Sequence, residues 1–529
     1  MPQGRHGTCA APRPFPFRFL RRRRPANGDD RMIELKPGRN CWRIETAERL
    51  SVIIDGQAYF RALREAMLKA QRMVMMIGWD FDFEIEMLPG QSDADGLAPD
   101  GFPNKVGPFL EAIVDRRQDL DIYLLKWSGG ALIAPGGILP ALAVKLMSPD
   151  QIHLAFDGRH PIGACHHQKI VVIDDSLAFC GGIDMTDGRW DDREHLDDNP
   201  LRCLKNGAEA QPWHDASTVM CGPAAAAMSE LARARWARAH DAEVDEDFAP
   251  GANLWPDSIN PAFHDIPVAI ARTAPPEAGR SGIHEIEDLY LDAIRAARDC
   301  IYIESQYFCA GSITRAIRRR LSDPDGPEVV VINPYAAQGH VEDQAMHVTR
   351  SRMVRMLRQH DRYGRFRILY PVTDSGQPIY VHAKIMIVDD MLLRIGSSNI
   401  DRRSMGFDTE CDVAIQARDD ATRDLIRDFR DGLLAEHLGR DKTEVARAID
   451  RHGRVVPALD GLIRDTGRSL RPLPLRRESW LGSLLANTRF FDPRYRRSAQ
   501  ARTGITARHL MLGAGVLAGG AWAWRRLRR

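Results

Sequence analysis

Lysine is scarce in this chain. It supplies 9 of the 73 basic residues, the other 64 being arginine, so a lysine kept at a repeated position points to a need for a compact ammonium rather than a planar guanidinium. Cysteine numbers nine, an odd count, with no Cys-x-x-Cys spacing. Cys165, Cys180, Cys221, Cys300 and Cys411 sit in or beside apolar, strand-like runs. This argues against a disulfide framework and against a structural cysteine-zinc site, and for buried thiols in a reducing compartment. The first thirty residues lack the continuous apolar core, about 7 to 15 residues long, of a secretory signal. Net charge is nearly absent, at +1, but it is segregated. Residues 1–28 carry seven Arg and no acid, and residues 471–529 carry thirteen Arg against Glu478 and Asp492, which leaves about −17 for the middle. An acidic body is a poor landing surface for nucleic acid, whose binding rests on neutralised phosphates, so no nucleic-acid partner is expected. Basic ends suit an anionic membrane surface.

One pattern occurs twice. His167-Gln168-Lys169, four residues, Asp174 and then Gly181-Gly182 is matched by His382-Ala383-Lys384, four residues, Asp389 and then Gly396-Ser397. With so few lysines, two matches carrying the same tail are not chance. Histidine can act as nucleophile or proton carrier near neutrality, its unperturbed pKa being about 6.5. Two His and two Lys brought together describe a phosphate site.

The flanking segments repeat as well. Residues 51–55 read as a strand, 57–71 as a helix with Phe60, Leu63, Met67 and Ala70 on one face, and 73–81 as a buried strand. Strand 268–273, helix 284–298 and strand 300–308 follow in the same order. Helices near 107–117 and 343–360 precede the strands DIYLLKW and RFRILYPV. Such alternation predicts an α/β fold of two pseudo-symmetric lobes, each a mixed β-sheet with helices on both faces. Neither half holds a full set of site residues, which puts the site at the lobe interface. The expected organisation is a disordered Arg-rich stretch 1–31, a first lobe 32–245, a linker 246–266 marked by an acidic run and three prolines, a second lobe 267–445, an Arg/Pro-rich extension 446–505 and an apolar helix 506–529.

At these motifs the chain resembles the phospholipase D superfamily, whose active site is built from two His-Lys-Asp motifs, one per lobe. HHQKIVVIDDSLAFCGGIDMTDGRWD, PWHD, IYIESQYF and YVHAKIMIVDDMLLRIGSSNIDRRSMGFDTECD look like its phospholipase D and cardiolipin synthase branch rather than its small nucleases. The resemblance covers roughly residues 45–440. It implies a catalytic set of His167, Lys169, Asp174, His382, Lys384 and Asp389, with the two Asp structural rather than in contact with phosphate. It also implies carboxylates that hold the far nitrogen of each imidazole. Glu410 occupies that place for His382, within the second lobe, and Asp215 or, in the alternative, Asp198 or another acid of the run 191–199 for His167 within the first. Asn399 fits a phosphate hydrogen-bonding role. Asp184, at the matching place in the first lobe, departs from the family's neutral side chain and reads as positioning Lys169 or a headgroup, because an unpaired carboxylate would repel a phosphodiester. Trp79 and Tyr307, at matching strand ends, are candidate pocket walls. His166 and His214 read as packed histidines.

The implied chemistry is a two-step displacement on a glycerophospholipid through a phosphohistidine. The pseudo-symmetry of the motifs leaves the two histidines interchangeable, and the resemblance favours His167 as nucleophile and His382 as general acid and base. Two lysines supply the positive charge, so no metal and no cofactor is expected. Transfer to water would make a phospholipase D, transfer to phosphatidylglycerol a cardiolipin synthase, and a nuclease is the weaker alternative. Residues 510–524 are uncharged, with Gly515, Gly519, Trp522 and Trp524 and arginines on both flanks. They read as a short C-terminal anchor or interface helix or, in the alternative, a helix docked on the soluble body, on a bacterial enzyme whose body is cytoplasmic or at the cytoplasmic face of the membrane.

Overall fold

The computed structural model describes residues 32–129, 149–161, 163–240, 242–244, 253–277, 280–338, 340–475 and 483–484. The readings made for residues 1–31 and for the apolar segment 506–529 fall outside them.

The first half contributes β1 (Arg43–Ile54), β2 (Met73–Gly78), β3 (Asp121–Trp127), β4 (Ile152–Asp157), β5 (Ile170–Ile173), β6 (Leu177–Gly181), β7 (Trp213–His214) and β8 (Ala216–Cys221). The second contributes β9 (Phe263–Ala274), β10 (Ile283–His284), β11 (Cys300–Glu304), β12 (Glu328–Ile332), β13 (Phe366–Val372), β14 (Tyr380–Val381), β15 (Ile385–Val388), β16 (Leu392–Gly396), β17 (Glu410–Gln416) and β18 (Ser469–Pro472). All but β7 and β14 join one mixed sheet. From its centre the order is β1-β8-β6-β5-β2-β3-β4 in one direction and β9-β17-β16-β15-β11-β12-β13-β18 in the other, with β10 pairing on β9. Apart from β10 and β18, the two directions are the same seven-strand pattern. The halves do not keep separate sheets: β1 and β9 pair antiparallel from Arg43 opposite Ile270 to Leu50 opposite Phe263.

Helices connect the parallel strands. Asp55–Lys69 leads from β1 to β2, Val106–Arg116 from β2 to β3, and Glu285–Ala296, Gly311–Ser322 and His340–His360 precede β11, β12 and β13. β2 and β11 are buried at every position, as strands covered on both faces must be. On one face each half has its own core. Phe60, Leu63 and Met67 pack with Val74, Met76 and Ile122 in the first half, and Ile286, Leu289 and Ile313 with Ile301 and Val329 in the second. On the other face a single core crosses the seam, joining Met75, Ile170 and Val172 to Val268, Ile270, Ile385 and Ile387 under helices Pro223–His240 and Asp420–Leu438.

Two stretches fold more than their composition suggests. β9 begins at Phe263, inside the expected connection 246–266, and Phe263 and Ile266 are buried. Within the expected Arg/Pro-rich extension, helix Val455–Leu462 packs on the shared core and β18 pairs antiparallel with β13 at the sheet edge. All eight cysteines among the described residues are free thiols, with only Cys203 exposed. No described helix is long and apolar enough to cross a membrane.

Candidate active site at the seam

The repeated motif forms the same hairpin in each half. β5 and β6 are joined through Asp174 and Asp175, with φ of 46° and 54°, and β15 and β16 through Asp389 and Asp390, with φ of 54° and 57°. Ser176 N donates to Ile173 O at 3.0 Å and Met391 N to Val388 O at 2.9 Å. Two consecutive left-handed residues match the twist of a tight hairpin, and Asp tolerates that conformation. Asp174 accepts from the backbone N–H groups of Gln71, Arg72 and Met73 at 2.7–2.9 Å. Asp389 accepts from those of Arg298, Asp299 and Cys300 at 2.6–2.8 Å. These two carboxylates therefore tie the turn to the start of the neighbouring strand. They sit at the far end of β5 and β15 from the histidines, at the ends of the two hairpins.

The histidines and lysines lie at the near end, in the extended residues just before β5 and β15. Here the structure corrects the pairing of imidazole and carboxylate. His167 Nδ1 lies 3.0 Å from both oxygens of Glu410, and His382 Nδ1 lies 2.6 Å from Asp215 Oδ2. Each histidine is held by a carboxylate of the opposite half, not of its own. The main chain builds the exchange. Parallel pairing of β7 with β14 sets Trp213 and His214 beside Tyr380 and Val381, and His382 N donates to His214 O at 2.7 Å. The counterpart is a bridge between His166 and Thr409, where His167 N donates to Thr409 O at 3.0 Å. Asp198, the alternative to Asp215, is exposed on a loop.

Lys169 Nζ donates to His167 O at 3.0 Å and pairs with Asp184 Oδ2 at 3.0 Å, while Asp184 Oδ1 accepts from Trp79 N at 3.0 Å. Lys384 Nζ donates to His382 O and is fully buried. Burial, reinforced by Lys169 and Arg189, depresses the Lys384 pKa to about 7 against the pull of Asp215 and Glu410. Gly182 is required where these groups meet, because a Cβ there would collide with Oδ1 of Asp215 and press on Cδ of Lys384.

The two dyads are not electrostatically alike. Burial alone would raise Asp215, but His382 and Lys384 hold its pKa at about 2. Burial pushes Glu410 up to about 8 despite hydroxyl donors at Ser397 (2.5 Å) and Ser404 (2.6 Å) and the charge of Lys169. Both imidazoles are driven well below their ordinary pKa, first by burial and then by the lysines, Lys169 and Lys384 for His167 and Lys384 for His382.

Asn399 is buried, its backbone N–H bonded to Ser404 Oγ and its side-chain Oδ1 without a hydrogen bond. Trp79 stacks on Trp127 with centroids 5.8 Å apart, and Tyr307 OH receives the Gln306 amide at 3.1 Å. His166 is a packed histidine, bonded through Nδ1 to Asp157 at 3.0 Å. Sequence reasoning did not single out Trp213, which stacks on Tyr380 at 4.6 Å and tilts against His382 at 5.0 Å. It also passed over Arg189, whose guanidinium lies 3.9 Å over Trp213 and whose charge acts on His382 and Lys384. Both stand inside conspicuous strings, PWHD and DGRWD. Ser404 carries no such signal.

Comparison with known proteins agrees with this layout. Residues 157–323 match the family model described as phospholipase D, and residues 290–432 the one described as cardiolipin synthase, PLD-like domain. Phospholipase D alpha 1 of Nicotiana tabacum is 25% identical over 394 residues, covering 52% of this chain and 49% of that protein. The Carica papaya protein of the same name is 26% identical over a like span. The chain thus spans about half the length of these curated relatives. In fold it is similar to phosphatidylserine synthase of Haemophilus influenzae Rd KW20, with a TM-score of 0.50 at 12% identity, over 78% of this chain and 95% of that one. A duplicated His-x-Lys hairpin, set across the seam of one pseudo-symmetric sheet and matched by two models of a single superfamily, makes this chain a member of the phospholipase D superfamily.

Proposed function

We propose that this protein is a phosphodiesterase and phosphatidyltransferase acting on glycerophospholipids. The observation that carries the reading is the crossed pair of His–carboxylate dyads flanked by Lys169 and Lys384. A carboxylate on Nδ1 fixes the tautomer that leaves the Nε2 lone pair free, and it compensates the positive charge that develops when that nitrogen is phosphorylated or protonated. Burial is the larger cause of the depressed imidazoles, and anionic phosphate entering between Lys169 and Lys384 offsets the smaller, coulombic part, which raises their basicity when substrate is bound.

In this mechanism His167 attacks phosphorus and forms a P–N bond, while the P–O bond to the headgroup alcohol breaks and His382 delivers the proton to that oxygen. His382 then takes a proton from water or an incoming alcohol, whose oxygen displaces His167 from phosphorus. Lys169, Lys384 and the Asn399 amide stabilise charge on the equatorial oxygens. His167 suits the nucleophile because its side chain is 17% exposed against 7% for His382. Asp184 neutralises one side of Lys169 and aims it, and Trp79 and Tyr307 wall the pocket. Water as acceptor gives phosphatidic acid. Phosphatidylglycerol as acceptor gives cardiolipin, a reading favoured by the second family model. The Arg-rich ends would bring the body to anionic membrane on its cytoplasmic side.

The test is lipid product analysis of the full chain on vesicles of phosphatidylcholine, phosphatidylethanolamine or phosphatidylglycerol, with and without a short primary alcohol. Phosphatidic acid and the phosphatidyl-alcohol should form and vanish in both His167→Ala and His382→Ala. Cardiolipin from phosphatidylglycerol alone would select the synthase. Absence of turnover of all three lipids would overturn the lipid reading.

A further inference from the structure

Beneath the His382 dyad lies a second cluster that the proposed chemistry does not use. Asp55 stands at the N-terminus of helix Asp55–Lys69, His195 in the loop after the first motif, His214 in β7 and Glu436 in helix Asp420–Leu438 of the other half. All four are buried. Each offers one ligand atom, all within 4.8 Å of one another, and Asp55 Oδ2, His195 Nε2, His214 Nδ1 and Glu436 Oε1 are buried, with His214 Nδ1 also 3.2 Å from Asp55 Oδ1. None of these four atoms makes a well-aligned hydrogen bond, although they crowd together. His195 Nε2 is 3.5 Å from Asp55 Oδ2 and 3.4 Å from Glu436 Oε1, and His214 Nδ1 is 2.9 Å from Glu436 Oε1. Four buried polar atoms left unaligned at one point are rare in a folded protein and call for an explanation.

Four ligands bound tetrahedrally at about 2.0–2.1 Å from a metal ion stand about 3.3 Å from one another. The three separations of 2.9, 3.4 and 3.5 Å bracket that figure. The outward atoms of the two imidazoles are also occupied as metal-bound histidines require: His195 Nδ1 lies 2.8 Å from Asp191 Oδ2, and His214 Nε2 lies 2.9 Å from Glu304 Oε2. Asp191 is anchored in turn by Trp213 N at 2.8 Å and by Arg202. A second grouping of His214, Glu304 and His437 shares one member, but its contacts of 2.9 Å are aligned hydrogen bonds and need no ion.

We propose that Asp55, His195, His214 and Glu436 form a closed, four-coordinate site for a first-row divalent transition-metal ion of the zinc type. Two neutral imidazoles and two carboxylates around a dication leave no net charge, and the donor set is one that zinc accepts. With every position taken by protein the ion is structural. A surface cleft lined by Arg193, His195, Glu436 and Arg440 lies beside it. The site clamps the His382 dyad from below: Asp55 Oδ1 accepts the N–H of Asp215 at 3.0 Å, and His214 lies between that carboxylate and the main-chain bond to His382. Glu436 comes from the second half, so the ion also pins the seam. This inference stands apart from the choice of substrate, because its readout is metal content.

The experiment is elemental analysis by plasma mass spectrometry of the full chain, purified without a polyhistidine tag and dialysed against EDTA. About one equivalent of a single transition metal per chain is expected, falling at least fivefold in His195→Gln and Glu436→Gln and unchanged in His153→Gln, a partly exposed histidine of β4. Protein from cobalt-supplemented cells should carry the visible absorption of four-coordinate cobalt(II), a readout on wild-type protein that stands even if the variants fold poorly. A wild-type chain without stoichiometric metal, and unable to take up zinc or cobalt on refolding, would overturn the proposal in favour of a protonated-histidine ion network. Full stoichiometry in both variants would overturn the assignment of the ligands.

Discussion

The His382 dyad and the His167 dyad occupy equivalent places in a duplicated architecture, yet they rest on different foundations. His382 faces Asp215, whose pKa of about 2 leaves it ionised, in a setting with Trp213 against the ring and buried Lys384 alongside. His167 faces Glu410, raised to about 8 by burial despite two serine hydroxyls and the charge of Lys169. The His382 side has a permanent negative charge to stabilise an imidazolium, which suits the proton-shuttling role proposed for it. The His167 side has a carboxyl poised near neutrality and the more open ring. Duplication supplied two copies of one device, and their surroundings set them electrostatically apart.

The largest expected effect tests whether both dyads are needed at all. His167→Ala and His382→Ala should each lower kcat by about 10³-fold or more, and the double variant should be scarcely worse than either single, because the residues act as a unit. Additive losses, measured on one vesicle substrate, would show the two halves working independently. The His167 variant should also fail to acquire radiophosphorus from labelled lipid when the reaction is quenched with detergent at neutral to alkaline pH, where a P–N bond survives, whereas His382→Ala should still trap label. The reverse pattern would exchange the roles.

Next in size is the contrast of the carboxylates. Asp215→Asn should reduce kcat by roughly 10²–10⁴-fold, since it removes a full charge from the imidazole. Glu410→Gln should cost roughly tenfold at neutral pH, where the carboxyl is largely protonated already. Equal losses would erase the asymmetry. The same contrast should appear in pH dependence. Activity in wild type should climb toward pH about 8 as Glu410 ionises, and that limb should flatten in Glu410→Gln but persist in Asp215→Asn. The signs for stability run oppositely. Asp215, lowered from 3.8 to about 2, contributes stability that is present above its ordinary pKa and lost as pH falls through 2. Glu410, raised from 4.5 to about 8, contributes stability that is present at low pH and lost as pH rises through 8. Thermal melts of each variant against wild type across this range should diverge at opposite ends.

The smallest effect concerns the turns, where the halves should behave alike. Asp174→Asn and Asp389→Asn each weaken three backbone hydrogen bonds at a hairpin end. Each should lower stability by about 1–3 kcal/mol in a denaturant titration while leaving kcat within a fewfold of wild type. A collapse of kcat in a variant that remains folded would return these residues to the chemistry.

Much of this was legible in the chain. Repeated motif spacing and apolar periodicity exposed the duplication, the alternation of strands and helices and the two His-Lys pairs, because hairpin register and core burial are set by residues near one another in sequence. The acidic character of residues 29–470 and the free cysteines were likewise matters of composition. Tertiary structure decided the rest. Which carboxylate serves which histidine depends on strand pairing between halves, 213–214 with 380–381 and 166 with 409, and the within-half pairing carried over with the resemblance therefore differed from the one observed. Whether Glu410 and Asp215 differ depends on burial and neighbouring charge, which similar acidic side chains do not reveal. The fusion of both halves into one sheet and the convergence of Asp55, His195, His214 and Glu436 likewise arise only when segments up to about 380 residues apart are folded together. Local pattern sets which elements form, and long-range contact sets which charges meet.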